Sequence, residues 1–333
     1  DISGTGKSLV RMAYERCLGV VPEENILIIT LGKFKGIINE QIPELPKENL
    51  LLEPYARRTA PCIAYATYTL LKRNPDAVMA ATPADIIVND EQLFKETMTH
   101  ALDYAEKNPV LVTLGVKPDR PDTEYGYIQA VGGKGACSSG DPVKVKTFTE
   151  KPDAEIADVF FRSGEFFWNS GIFVWQASVI KEEMERYIPE ITRLFDGWEG
   201  ALGSPAEEVF IERAYTDCIK LSIDYGVMEK TDRAWVYPIQ FGWSDIDSWE
   251  NYYSSIQRKD QDGNISNTQM KILQNDKRNI ILTKNKNKLL MIRGLEDCLV
   301  VDTDDVLLIC PRDDKQYKEL VNSTRMPGYD KYR

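Results

Sequence analysis

Histidine is all but missing from the 333-residue chain: His100 is the only one, and it falls in residues 91–107, whose spacing predicts a helix. A lone helical histidine is far more often surface or core filler than a catalyst, so chemistry that needs a histidine base is disfavoured. Transfer to an already ionised phosphate oxygen needs only positioning and charge neutralisation, and the shortage points toward transfer between phosphates. Positive charge is short too. With 41 Lys and Arg against 52 Asp and Glu, the formal net charge is −11, which argues against nucleic acid or an anionic membrane surface as the main partner, since both need a basic face. A phosphate substrate would need a metal to offset that field. The six cysteines (17, 62, 137, 218, 298 and 310) form no Cys-x-x-Cys, and several sit among apolar residues as small hydrophobes. A reducing, cytoplasmic setting fits. No apolar run approaches the roughly 20 residues of a membrane helix, and the opening Asp1-Ile-Ser-Gly-Thr-Gly6 does not read as a signal peptide. There is no internal repeat and no low-complexity segment.

What is present is enough apolar sequence, 43%, for a large core, in a length that suits one large domain and a small one. Strand-like and helix-like stretches alternate through the first half: helix at 8–17, strand at 25–30, helix at 32–41, strand at 49–52, helix at 59–72, strand at 77–81, helix at 91–107 and strand at 110–116. That alternation predicts an α/β fold, a mixed but largely parallel sheet flanked by helices. Thr59 is expected to cap its helix, with Pro61 in the first turn and Ile63, Thr67, Leu70 and Leu71 on one face. Residues 132–142 have hairpin-loop composition, helices fit 153–162, 177–187 and 205–213, and a strand fits 235–241. After about residue 258 the pattern changes to short extended runs at 280–283, 289–292, 298–303 and 306–310, which suggests a small all-β unit or solenoid. Two domains are therefore expected, 1–257 and 258–333.

Phe148-Thr-Glu-Lys-Pro152 and Phe167-Trp-Asn-Ser-Gly-Ile-Phe173 place polar groups beside apolar strands, Glu150 and Lys151 closing the run 143–148 and Asn169 to Gly171 opening 172–175. A carboxylate, an ammonium and a carboxamide at strand ends suit a sugar's hydroxyls and a phosphate. Asp85 and Asp245 each follow an apolar strand, at 77–81 and 235–241, and two such carboxylates can bind one Mg²⁺, which takes few protein ligands and completes its shell with water and phosphate oxygens. Taken singly, either reads more simply as a helix cap; beside the sugar-phosphate segments the metal is favoured. Ser3-Gly-Thr-Gly-Lys-Ser8 lacks the Gly a P-loop needs at position 1 and reads as a helix start. Glu53-Pro-Tyr-Ala-Arg-Arg-Thr-Ala-Pro61 leads from a strand to a helix amino terminus, a place suited to anions, where Arg57 or Arg58 reaches phosphate and Glu53 accepts from a guanine edge. A structural loop and cap is the rival reading there. Trp243 and Trp249 are expected in the core, and the lysines between 277 and 288 on a solvated face.

Six segments occur in a telling order: Glu53-Pro...Arg57...Thr-Ala-Pro61, Tyr125-Gly-Tyr-Ile128, Glu150-Lys-Pro152, Trp168-Asn-Ser-Gly-Ile-Phe173, Ser222-Ile-Asp-Tyr-Gly-Val-Met-Glu229 and Gly242-Trp-Ser-Asp245. Together they resemble the mannose-1-phosphate guanylyltransferase (GDP-mannose pyrophosphorylase) family of nucleotide-diphospho-sugar transferases, over nearly the whole chain. The resemblance implies a Rossmann-like transferase domain with a short left-handed β-helix behind it. It implies Mg²⁺ on Asp85 and Asp245, mannose hydroxyls on Glu150 and Asn169, the sugar phosphate on Lys151, a close backbone approach at Gly126, and Glu53, Arg57 and Thr59 on the nucleotide side. The substrates implied are GTP and mannose 1-phosphate, and the exposed edge of a β-helix makes a homodimer plausible. The family's opening strand and its Gly-rich, Arg-bearing loop precede the residues present here, and without them GTP binding is expected to be poor. Other departures are Ala84 and Ile86 around Asp85, Arg58 in place of an Asn, Glu124 in place of a Gly, and Asp247, also in place of a Gly, as a further metal ligand or a cap. Glu124 and Arg58 keep open a pyrophosphorylase for another hexose 1-phosphate or base, and the missing loop keeps open a non-catalytic protein that binds nucleotide sugar.

Overall fold

The computed structural model describes residues 6–133, 140–246, 248–256 and 258–332. Residues 134–139 of the loop expected at 132–142, Asp247 and the start of the Ser3–Ser8 segment lie outside them. Contacts divide the chain into two units, the larger from Tyr14–Pro83 and Val88–Trp243, the smaller from the residues up to Ala13, Ala84–Ile87 and Ser244 onward.

The expected α/β alternation is present. The strands in chain order are β1 (Ile28–Leu31), β2 (Leu50–Glu53), β3 (Val78–Ala81), β4 (Ile86–Val88), β5 (Leu111–Val116), β6 (Tyr127–Ala130), β7 (Val143–Thr149), β8 (Phe166–Gln176), β9 (Ala234–Ile239) and β10 (Trp243–Asp245). In the larger unit β1 and β2 pair in parallel, and six strands form a mixed sheet in the order β3-β8-β5-β9-β7-β6. Within those six only β5 and β9 are parallel neighbours, because the long strand β8 runs antiparallel between β3 and β5, and β7 runs antiparallel beside β9. The largely parallel arrangement suggested by the alternation is thus interrupted by two strands of the second half.

The helix Thr59–Arg73 buries Ile63 and Thr67 as its spacing demands, and Tyr68 stacks on Phe195 with ring centroids 5.3 Å apart. Trp175, Ile180 and Tyr215, all fully buried, continue this core. Thr59 does not cap that helix. Arg58 is the N-cap residue and makes no side-chain capping bond; the Thr59 hydroxyl instead accepts from the Ile223 N–H at 2.9 Å. The helix expected at 32–41 begins as a 3-10 turn, Gly32–Phe34, before Lys35–Gln41 becomes α-helical. His100 is on the helix Glu91–Lys107 with its ring nitrogens at 2.8 Å from the Tyr237 hydroxyl and 3.4 Å from Asp141, a structural use.

In the smaller unit come β11 (Ile265–Ser266), β12 (Lys271–Gln274), β13 (Ile280–Thr283), β14 (Leu290–Arg293), β15 (Cys298–Asp302) and β16 (Leu307–Pro311). β11, β13 and β15 stack in parallel, β12 and β14 form a second parallel stack, and β16 closes the first stack antiparallel. Ile265, Ile280 and Leu299 lie in register and supply the core with Tyr252, on which Trp249 packs edge to face. Beside them runs an asparagine ladder. Asn264 Oδ1 accepts from the Asn279 backbone and side chain at 3.0 Å, Asn264 Nδ2 donates to Asp276 O at 2.9 Å, and Asn279 reaches Leu295 O at 2.9 Å and Cys298 N at 2.8 Å. The lysines between 277 and 288 are exposed, as expected, and Lys288 also pairs at 2.6 Å with the buried Asp302.

Candidate functional site

In the larger unit β6, β7 and β8 gather the expected sugar-phosphate residues. Glu150 and Lys151 follow β7 directly, as expected. Asn169 differs. It does not open a strand but lies within β8, which begins at Phe166. β8 stays one strand because its ladder with β5 is bulged: Gly115 faces Asn169 and Thr113 faces Phe173, so three residues of β8 oppose one of β5. Gly171, at φ +73°, takes up the bend, and Ser170 Oγ donates to Leu114 O at 2.8 Å. The bulge swings the Asn169 carboxamide toward Thr113, whose hydroxyl donates to Asn169 Oδ1 at 3.1 Å.

Gly126 is needed where it stands. A Cβ there would come within 2.4 Å of Glu150 Oε2, and its carbonyl accepts from the Asn169 N–H at 2.8 Å. Glu150 Oε2 is itself buried and has no hydrogen-bond partner among the described residues, a condition that buried carboxylates rarely tolerate without a ligand. Burial pushes the Glu150 carboxyl up to about 7; the Asp224 and Glu229 carboxylates add to the rise and Lys151 opposes it. Burial likewise raises Asp224, against its bond from Asn169. Lys151 adopts φ +44° and holds its ammonium 4.0 Å from Glu124. Beside this cluster Tyr125 packs tilted against Trp168 and edge to face on Trp243, with ring centroids 5.0 and 5.3 Å apart. Trp243 thus sits in an aromatic cluster, as expected.

Glu53, Arg57 and Thr59 converge on one segment. Glu53 Oε1 accepts from the Tyr215 hydroxyl at 2.9 Å, Arg57 donates to the carbonyls of Tyr215 and Thr216 at 3.0 and 3.1 Å, and Thr59 bonds Ile223. Burial raises the Glu53 carboxyl, and the Tyr215 bond offsets part of that. Arg58 is held at φ 67°, ψ −165°, a region that favours glycine. A cavity of about 750 Å³ runs along β2, lined by Leu50, Leu52, Glu53, Tyr65 and Ile211; Gly126, Glu150, Lys151 and Asn169 are not among its walls.

In the smaller unit Asp85 precedes β4 and Asp245 ends β10, and these strands pair as a two-stranded sheet. Asp245 is therefore not simply the residue after the strand at 235–241; a further short strand carries it. The Ile246 N–H donates to Asp85 O at 3.0 Å, so the backbone at Asp85 lies beside the end of β10. Asp85 is exposed and Asp245 half-buried. No cluster of three or more His, Cys, Asp and Glu that would cage a metal occurs among the described residues. Two hard carboxylates beside solvent fit Mg²⁺, which leaves most of its shell to water and phosphate.

Asp224, Glu229 and Thr113 were not singled out as site residues. Asp224 begins a π-helical turn, Asp224–Met228, and bonds Asn169 at 2.9 Å; Glu229 accepts from the Glu150 N–H at 3.0 Å. The signals were there: Thr113 is the one polar side chain in an apolar run, and Ser222–Glu229 is one of the ordered segments.

In this mixed α/β domain a carboxyl, an ammonium and an amide are gathered around a close glycine. A model described as nucleotidyl transferase matches residues 2–262, and the chain belongs to that family. It is 34% identical over 323 residues to the mannose-1-phosphate guanylyltransferase of Escherichia coli (strain K12), covering 93% of this chain and 65% of that protein. It is 36% identical over 306 residues to the xanthan biosynthesis protein XanB of Xanthomonas campestris pv. campestris (strain B100), covering 91% and 63%. The chain thus spans a little under two thirds of the length of these relatives. A crystal structure from Thermus thermophilus, described as a mannose-1-phosphate geranyltransferase, superposes with a TM-score of 0.83 at 27% identity, covering 96% of this chain and 90% of that one. A Helicobacter pylori structure described as a mannose-6-phosphate isomerase gives 0.60 at 29% identity, covering 72% and 91%. No helix among the described residues is long and apolar enough to cross a membrane.

Proposed function

We propose that the intact protein joins mannose 1-phosphate to GTP, releasing pyrophosphate and forming GDP-mannose. The observation that carries the reading is the unpartnered Glu150 oxygen beside Gly126 and Asn169, in a chain 34% identical to a mannose-1-phosphate guanylyltransferase. Glu150 and Asn169 hold sugar hydroxyls, the Lys151 ammonium holds the sugar phosphate, and that phosphate's ionised oxygen attacks the α-phosphorus in line, so that no base is required. Glu53, Arg57 and Thr59 order the nucleotide side through the 215–223 segment. Asp85 and Asp245 hold Mg²⁺, which when bound neutralises charge on the phosphate oxygens.

In the full-length protein Asp85→Ala and Asp245→Ala should each abolish pyrophosphate release; retained activity in both would remove their role. A rate panel of mannose 1-phosphate and glucose 1-phosphate against GTP and UTP tests the substrates, and a clear preference for glucose 1-phosphate with UTP would overturn the assignment. We also infer that the two parallel stacks of the smaller unit wind as a left-handed β-helix. The exposed cross-strand pair Ile272 and Met291 supports its use as a homodimer face.

A further inference from the structure

We propose that Asp224 is the positioning residue of the sugar subsite: its carboxylate fixes which way the Asn169 carboxamide faces, so that Asn169 presents an incoming hydroxyl with one N–H donor and no acceptor. This rests on the reading of Asn169 as a sugar contact.

An amide oxygen has two lone pairs and an amide nitrogen two hydrogens. Asn169 Oδ1 receives the Thr113 hydroxyl at 3.1 Å and the Gly171 N–H at 3.2 Å, and Asn169 Nδ2 gives one hydrogen to Asp224 Oδ1 at 2.9 Å. Three of the four hydrogen-bonding positions are thereby used, and the one left is an N–H. Turning the amide over would set its oxygen against a carboxylate and its NH₂ against the Gly171 N–H. Thr113 would not resist, because a hydroxyl donates or accepts with equal ease. The preference comes from Gly171 and Asp224, and of these only Asp224 lies outside Asn169's own strand. The restraint is anchored on three elements: Thr113 is fully buried in β5, Gly171 lies in the bulge of β8, and Asp224 begins the π-helical turn. π-turns of this kind often occur where a side chain must be re-aimed at a functional site.

The division of labour in the subsite follows. Asn169 donates, and Glu150, whose Oε2 has no partner among the described residues, answers the hydroxyl's other side. A subsite with one fixed donor and one open carboxyl selects by hydroxyl placement, and loss of the fixed donor weakens sugar phosphate binding without touching the nucleotide.

The test is initial-rate kinetics on the full-length protein with mannose 1-phosphate and GTP varied independently, with calorimetry of mannose 1-phosphate binding alongside. Asp224→Ala should raise the KM for mannose 1-phosphate roughly ten- to a hundredfold, the range for losing a hydrogen bond to a charged group, while the KM for GTP stays within about twofold. Asp224→Asn, whose amide oxygen accepts the same hydrogen, should recover most of the loss, an outcome that a general structural role does not predict. Asp224→Ser, too short to reach Asn169, carries the same test should the alanine variant not fold. The proposal is overturned if the KM for mannose 1-phosphate stays within about twofold, if both KM values rise together, or if Asp224→Asn is as impaired as Asp224→Ala. A wild-type protein that neither binds nor turns over mannose 1-phosphate overturns both this assignment and the function it rests on, whereas an active wild type with an unaffected Asp224→Ala removes only Asp224.

Discussion

Asn264 and Asn279, inside the smaller unit, and Glu150, at the end of β7 in the larger, are polar side chains withdrawn from water, yet their surroundings treat them differently. Each asparagine is tied to main-chain or side-chain partners at 2.8 to 3.0 Å. Glu150 Oε2 has none among the described residues, and its neighbours include two more carboxylates, Asp224 and Glu229. A buried polar group that serves only the fold must be satisfied by the fold, because an orphaned one costs about as much as several good contacts supply. At Glu150, a carboxylate beside two others, that shortfall fits a ligand completing the bonding. The two regions thus differ in whether the fold itself satisfies the carboxylate or carboxamide it withdraws from water.

Three substitutions test that contrast, in falling order of effect. Asn279→Ala strands the Leu295 carbonyl and the Cys298 N–H inside the ladder and should lower stability by about 3 kcal/mol or more, read from urea unfolding followed through the smaller unit. A loss below about 1 kcal/mol would mean the ladder is not the scaffold described.

Glu150→Gln should do the opposite at high pH. A carboxyl raised from 4.5 to about 7 binds more protons in the native than in the unfolded state across that window, so its contribution is present below the unfolded value and stability is lost as pH rises through about 7. The glutamine variant lacks this slope. It should melt above wild type at about pH 8, relative to their difference at about pH 5, while sugar phosphate binding weakens; parallel melting curves would show that Glu150 is satisfied after all.

The smallest effect is expected at Arg58. Arg58→Gly relieves φ 67°, ψ −165° and should stabilise by about 1 kcal/mol in thermal unfolding. Unchanged or lower stability would show that the Arg58 side chain contributes more than its backbone strain costs.

Much of this was legible in the residues, and where it was not the cause is physical. Periodicity placed the helix Thr59–Arg73 and the strands β3 and β5 to within a residue or two, because their apolar spacing is strong. It misplaced Asn169, since nothing local reveals that β8 continues through Trp168-Asn-Ser-Gly171; the bulge that permits it is set by pairing with β5. It misassigned Thr59, whose hydroxyl is claimed by a backbone N–H more than 160 positions away. The ordered motifs led to Glu150, Lys151 and Gly126, which the fold does gather, but the role of Asp224 depends on a contact between distant segments that no spacing encodes. The interruption of the parallel sheet by β7 and β8 has the same origin.

β8 has a further consequence. Its second half is core, with Val174 and Trp175 fully buried, and its first half carries Asn169. One continuous backbone therefore ties the interior to the Asn169 cluster. Trimming Trp175 would open a void beneath the same strand that carries Asn169, at a cost of about 3 to 5 kcal/mol, so a loss of core packing and a shift of the Asn169 carboxamide would arrive together.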